Sequence, residues 1–173
     1  AHSAYPDEGV SAIAALLVVR LFYVDSRLQA EAWLRANVPT GAAVDLITNH
    51  EGYVPRVPEG RPARIVRTLS REMAPAERFE EAARAYPAEA AGWLVVSGAF
   101  YQRFLDNPEQ RPERTRFFRE LLLGRAGFTL AARFRQQGWR RPAAEFLDPE
   151  IVILRKSPAP PAPSAWTPRT PSR

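Results

Sequence analysis

The chain has 173 residues, a hydrophobic share of 46% and a formal net charge of +5, enough for one domain with a real core. It contains no cysteine, which excludes disulfides and thiolate metal sites and leaves the redox compartment open. The positive charge is almost all arginine, Lys156 being the one lysine, and it is interleaved with glutamate in ARAYPAEAA and RPERTRFFRE. That pattern reads as solvated helix faces, and no nucleic-acid-binding motif accompanies it.

Ala1–Glu8 is polar and lacks the basic start of a signal peptide. Gly9–Val24 is the apolar stretch GVSAIAALLVVRLFYV. As a helix it would be roughly 24 Å long, short of the ~30 Å hydrocarbon core. Two readings fit: the outer part of a membrane helix, or a core helix of a soluble domain. Asp25-Ser26 then opens a helix over Ser26–Asn37, with Leu28, Ala30, Trp33 and Leu34 on its apolar face and Pro39 and Gly41 just past its end. Ala42–Thr48 reads as a strand, Asn49–Gly60 as a loop rich in Gly and Pro, and Ala63–Thr68 as a second, weaker strand. Pro75–Ala85 is amphipathic, with Phe79, Ala82, Ala83 and Tyr86 on one side and Glu77, Glu80, Glu81 and Arg84 outside.

Trp93-Leu94-Val95-Val96 is an unbroken apolar run after a glycine, as expected of a strand buried on both faces. Ser97-Gly98 breaks it, and Phe100, Tyr101, Phe104 and Leu105 follow at helical spacing. Ser97 is placed to cap that helix. Glu113–Leu123 is a further helix with a Phe117, Phe118, Leu121, Leu122 stripe, stopped by Gly124. Phe128–Arg135 alternates, which predicts a half-exposed strand with Phe128, Leu130, Ala132 and Phe134 on one face. Gly138–Pro149 is a loop and Ile151–Arg155 a last strand. From Ser157 onward the chain is Pro-rich and reads as an extended or disordered tail.

These elements predict an α/β fold: a small mixed sheet of four to five strands, mostly parallel, flanked by helices and preceded by a hydrophobic helix. The last two strands are expected to pair antiparallel, because their short connection has no room for a crossover helix. The division is 1–24 for the polar lead and partial membrane helix, 25–156 for the α/β domain and 157–173 for the tail.

Recognisable catalytic chemistry is absent. No GxSxG elbow and no phosphate-binding glycine loop occurs. His50, in Thr48-Asn49-His50-Glu51, has no further ligands spaced to hold a metal with it, and its simplest reading is a surface loop histidine. The pairs Glu80-Glu81 and Asp148/Glu150 read as solvated carboxylates. The run Phe100 to Phe104 reads as core, with Tyr101 and Arg103 at its edge, where they could stack on a sugar. Ligands of open α/β sheets bind beyond the carboxyl ends of strands. On that geometry the candidate ligand-side residues are Asn49, His50, Tyr53, Ser97, Tyr101 and Arg103. No catalytic residue, metal ligand or cofactor is assigned.

Four stretches in order carry a resemblance: DSRLQAEAWLRANVPTG from Asp25, Tyr53-Val54-Pro55, the run from Trp93 through RFFRELL, and Asp148–Arg155. Together they resemble the extracytoplasmic C-terminal region of bacterial multi-spanning glycosyltransferases of the dolichyl-phosphate-mannose-protein mannosyltransferase type, the GT-C class. The likeness runs from about Leu16 to Lys156. It implies a small α/β domain resting on a membrane-embedded catalytic half that transfers sugar from a polyprenyl-phosphate donor. It also implies that Gly9–Val24 is the outer end of the last membrane helix, that Asp25 marks the water boundary, and that Arg20 snorkels toward it. Residues 25–173 would then be extracytoplasmic. The family's catalytic acids lie in a first extracytoplasmic loop that this sequence does not contain, so none is carried over. The expected partners are the membrane and, through the membrane half, the polyprenyl-phosphate sugar and its acceptor; nucleic acid is not expected. The alternative is a non-catalytic, membrane-associated interaction or sugar-binding module.

Overall fold

The structure, a computed structural model, describes residues 25–135 and 149–158. The apolar stretch Gly9–Val24, most of the Gly138–Pro149 loop including Asp148, and nearly all of the Pro-rich tail lie outside the described residues. Among those described, no helix is long and apolar enough to cross a membrane.

The element order is α1 (Ser26–Asn37), β1 (Val44–Ile47), a 3-10 turn (Glu51–Tyr53), β2 (Ala63–Ile65), α2 (Arg67–Ser70), α3 (Ala76–Glu89), β3 (Trp93–Ser97), α4 (Gly98–Asp106), α5 (Pro112–Leu122), β4 (Phe128–Phe134) and β5 (Ile151–Lys156). The strands form one sheet in the order β2-β1-β3-β5-β4. The WLVVS strand is central, as its lack of polar alternation requires, because both of its faces are covered.

The two faces are covered unequally. Asp45, Ile47, Leu94, Val96, Val152 and Leu154 look toward one side, where α3, α4 and α5 contribute Phe79, Tyr86, Phe100, Tyr101, Phe117 and Phe118 to the larger core. Val44, Leu46, Val95, Ile151 and Ile153 face the other, against Ala30 and Leu34 of α1 and Val54 from the loop after β1. This two-parity split follows from the period of two along each strand.

β1 pairs in parallel with β2 and β3, while β5 runs antiparallel to both β3 and β4. Four strands therefore share one direction, and β5 is inserted between β3 and β4 in the opposite sense. The expected antiparallel pairing of the last two strands is present. The expected predominance of parallel pairing is only partly met, because that insertion makes the pairings evenly mixed.

Four local features depart from the sequence expectation. A register shift between Leu130 and Ala132 breaks the alternation of β4. Leu130 then pairs opposite Leu154 but Ala132 opposite Ile153, so Phe128 and Leu130 share one face while Ala132 and Phe134 take the other. One inserted residue flips every side chain beyond it. The second strand stops at Ile65. The Val66 amide donates to Leu46 O at 2.9 Å, and the chain then coils into α2, which buries Leu69 completely. Helix α3 runs on past Ala85 through Pro87 to Glu89; the ring removes a single intrahelical donor in the last turn. Ser97 stands at the N-cap position of α4, but its side chain makes no capping hydrogen bond.

Candidate functional site

The sheet has one functionally distinct edge, where β1, β2 and β3 end and β5 begins. The Asp25 side chain caps α1 by accepting from the Arg27 amide at 2.8 Å. Arg27 returns along the same carboxylate through Nε at 2.9 Å and reaches with Nη1 to Gly52 O at 2.6 Å. The buried Ser26 hydroxyl donates to Pro149 O. The start of α1, the turn after β1 and the entry to β5 are thus tied into one joint, although Ser26 and Pro149 are 123 residues apart.

The turn after β1 is built by short-range bonds. Thr48 Oγ1 donates to His50 O at 2.8 Å, and His50 Nδ1 accepts from the Gly52 amide at 3.0 Å, capping the 3-10 turn. The His50 ring also packs 5.2 Å from that of Tyr53. His50 is an exposed loop histidine with a structural bond. Among the described residues no group of three His, Asp or Glu side chains is placed to hold a metal ion.

Beside this turn, an open cleft of ≈ 990 Å³ lies beyond the ends of β1 and β2. Asn49 and His50 line it from the turn, together with Arg67, Thr68, Arg71 and Arg78. These three arginines are exposed and make no ion pair among the described residues. The carboxylates in the wall are Glu51 and Glu72. Glu72 is already engaged: Arg103 Nη2 lies 2.7 Å from its Oε1, and Asn49 Nδ2 donates to the same oxygen. The Arg103 guanidinium holds this carboxyl below the ordinary glutamate range, against the opposing effect of partial burial. Arg103 is fixed in turn over the rings of Phe100 and Phe104, at 5.0 and 4.8 Å.

Behind the cleft, Arg114 is fully buried under the segment that carries Arg71 and Glu72. Its Nη2 donates to Arg71 O at 2.9 Å, and its guanidinium lies 4.4 Å from the Phe79 ring centroid. Burial lowers its pKa, with nearby Glu113 acting in the opposite direction. Nε and Nη1 have no hydrogen-bond partner among the described residues.

The six residues expected at a ligand site reach this edge in different conditions. Asn49, His50 and Tyr53 stand at or beside the cleft. Arg103 closes its back through Glu72. Ser97 is wholly buried, with an Oγ that has no partner among the described residues. Tyr101, expected at the edge of the aromatic run, is 1% exposed and donates to Glu150. Burial, then the charge and hydrogen bond of Glu150, push its phenol far above the ordinary tyrosine range. The sequence pattern makes Glu150 a solvated carboxylate. It is instead largely covered, held by Tyr101 on one oxygen, with Arg133 Nε 3.5 Å from the other.

Sequence reasoning missed Arg67, Arg71 and Arg78: Arg67 falls in the expected second strand, Arg71 between the expected elements and Arg78 in the amphipathic helix. A usable signal existed: RTLSR follows a strand directly and places two arginines four apart around two hydroxyls. No protein-family model, curated protein or solved structure matches the chain.

Proposed function

We propose that this chain is the extracytoplasmic α/β domain of a membrane glycosyltransferase that uses a polyprenyl-phosphate sugar. It covers the membrane-embedded active site and helps to hold donor or acceptor without a reactive centre of its own. One observation carries the reading. Asp25-Ser26-Arg27 and Pro149-Glu150 belong to separate stretches of the sequence resemblance, and Gly52 immediately precedes a third, Tyr53-Val54-Pro55; the three places meet in a single joint through Arg27 to Gly52 O and Ser26 to Pro149 O. A set of motifs that converges in space is better supported than one that is only ordered in sequence. The same joint is where the apolar stretch ending at Val24 enters the domain, so the cleft and the tether share one edge. A domain held this way presents its cleft toward the bilayer from which the tether emerges.

The test is reconstitution. The chain is expressed together with the polypeptide encoded upstream of Ala1, and sugar transfer from a polyprenyl-phosphate donor is followed. Transfer by the joined protein, and none by residues 1–173 alone, is expected. An upstream region without multiple spans and an acidic extracytoplasmic loop would remove the enzyme context. Transfer by the isolated chain would remove the claim that it lacks a reactive centre.

A further inference from the structure

From the cleft we infer a further site: Arg67, Arg71 and Arg78 bind a phosphate group presented at the membrane-facing edge of the domain. The inference rests on the proposed function only for the source of that phosphate; the site itself is argued from its geometry.

The three arginines line one open cleft: Arg67 on α2, Arg71 directly after it and Arg78 on α3. Arginines lining one cleft repel one another, and the carboxylates of its lining are Glu51 and Glu72. Glu72 is spent on Arg103 and Asn49. That leaves Glu51, on the turn after β1, as the other carboxylate of the lining against three arginines, while Glu81 and Glu89 line the adjoining cavity that Arg67 and Arg78 share with Arg64. The field in the cleft is therefore positive, and a concave wall concentrates it. Hydroxyl donors stand among the arginines. Thr68 lines the cleft, and Ser70 accepts from the Thr48 amide at 3.1 Å, with no acceptor for its own proton among the described residues. Planar forked donors together with hydroxyls suit phosphate oxygens. At ≈ 990 Å³ the cleft is far larger than a phosphate, leaving room for an attached group beside the exposed His50.

The wall is also built to hold its position. Arg114 fastens the carbonyl of Arg71 from beneath, and Asn49 and Arg103 fasten Glu72. The basic segment is thereby held to the strand ends from both sides.

The experiment uses the full chain and phosphatidylcholine vesicles, plain or carrying farnesyl phosphate or phosphatidylglycerol at equal surface charge. Any insertion of the apolar stretch contributes to all three, so the quantity read is the ratio of affinities to plain vesicles. Farnesyl phosphate is expected to raise that ratio above phosphatidylglycerol. Arg67→Ala and Arg71→Ala should each lower it about fivefold, on the scale of one basic side chain at an anionic surface. Arg125→Ala, at the opposite end of the sheet, should leave it unchanged. Competition by inorganic phosphate assigns the recognition to the phosphate whatever its source; absence of competition, with the farnesyl preference and arginine losses retained, assigns it to a lipid-borne phosphate. Equal response to both anionic lipids, or equal loss with Arg125→Ala, overturns the site as diffuse electrostatics. No preference over plain vesicles overturns it outright. Phosphate binding without transfer in the reconstituted protein would leave the site standing and the glycosyltransferase reading fallen; transfer without phosphate binding would do the reverse.

Discussion

Asp45 is 1% exposed and satisfies its charge completely. It accepts from Arg64 Nε and Nη2 at 2.9 and 3.0 Å, from the Tyr86 hydroxyl at 3.0 Å and from the Ala91 amide at 2.9 Å. Four donors converge on one carboxylate, so Asp45→Asn sets an NH2 group against donors. We expect a loss of about 2–3 kcal/mol in urea unfolding, the scale of hydrogen bonds to a charged group; a loss below about 1 kcal/mol would show that the network is dispensable. Arg114 is the opposite case, a buried cation paired only loosely with Glu113, whose Oε1 is 3.7 Å from Nε. Arg114→Met should cost about 2–3 kcal/mol because it strands Glu113, and Glu113→Gln added to it should recover at least half. Strictly additive effects in this cycle would mean that the two side chains are not coupled.

At the level of elements, the start of α4 packs tightly against the residue that leads into β5. A Cβ on Gly98 would lie 3.1 Å from Glu150 Cβ and 3.2 Å from its backbone N and O, and the Gly98 amide donates to Glu150 O at 2.7 Å. Backbone cannot step aside as a flexible side chain can. Gly98→Ala should therefore destabilise the fold by about 1–3 kcal/mol, although alanine is the better helix former. Unchanged thermal unfolding of that variant would show that the start of β5 yields. This contact also helps place Glu150 under Tyr101, so the variant should loosen the Tyr101 hydroxyl first. The bulge in β4 belongs to the same scale. Alternation predicted the strand correctly and assigned half of its apolar side chains to the wrong face, since a one-residue insertion leaves no mark in a hydrophobicity pattern.

For the molecule as a whole, the two buried tyrosines tie folding to alkaline pH. Tyr86 and Tyr101 are both held as neutral phenols, chiefly by burial and then by Asp45 and Glu150. In the unfolded chain they ionise near pH ~10. Their folded pKa values are raised, so the stability they contribute is complete below about pH 10 and declines as pH rises above it. In an alkaline titration, tyrosinate absorbance from these two should appear together with loss of far-UV circular dichroism. Ionisation of every tyrosine with the fold intact would contradict the structure.

The order of elements, the central place of Trp93–Ser97, the Asp25 cap and the two-sided core were legible in the residues, because local propensity and hydrophobic period act over a few positions at a time. The candidate site was legible only in part. Asn49 and His50 were found because loops after strands can be read along the chain. Arg67, Arg71 and Arg78 were not, because an arginine looks the same along the chain whether its charge meets open water or a cleft wall. Likewise nothing local marks Tyr101 or Glu150 as buried. Their partners come from positions 49 residues apart in the chain, and such meetings depend on how the strands are stacked beside one another. Short-range pattern chose the pieces; the insertion of β5 between β3 and β4, and the edge that the strands therefore share, chose which charges face each other.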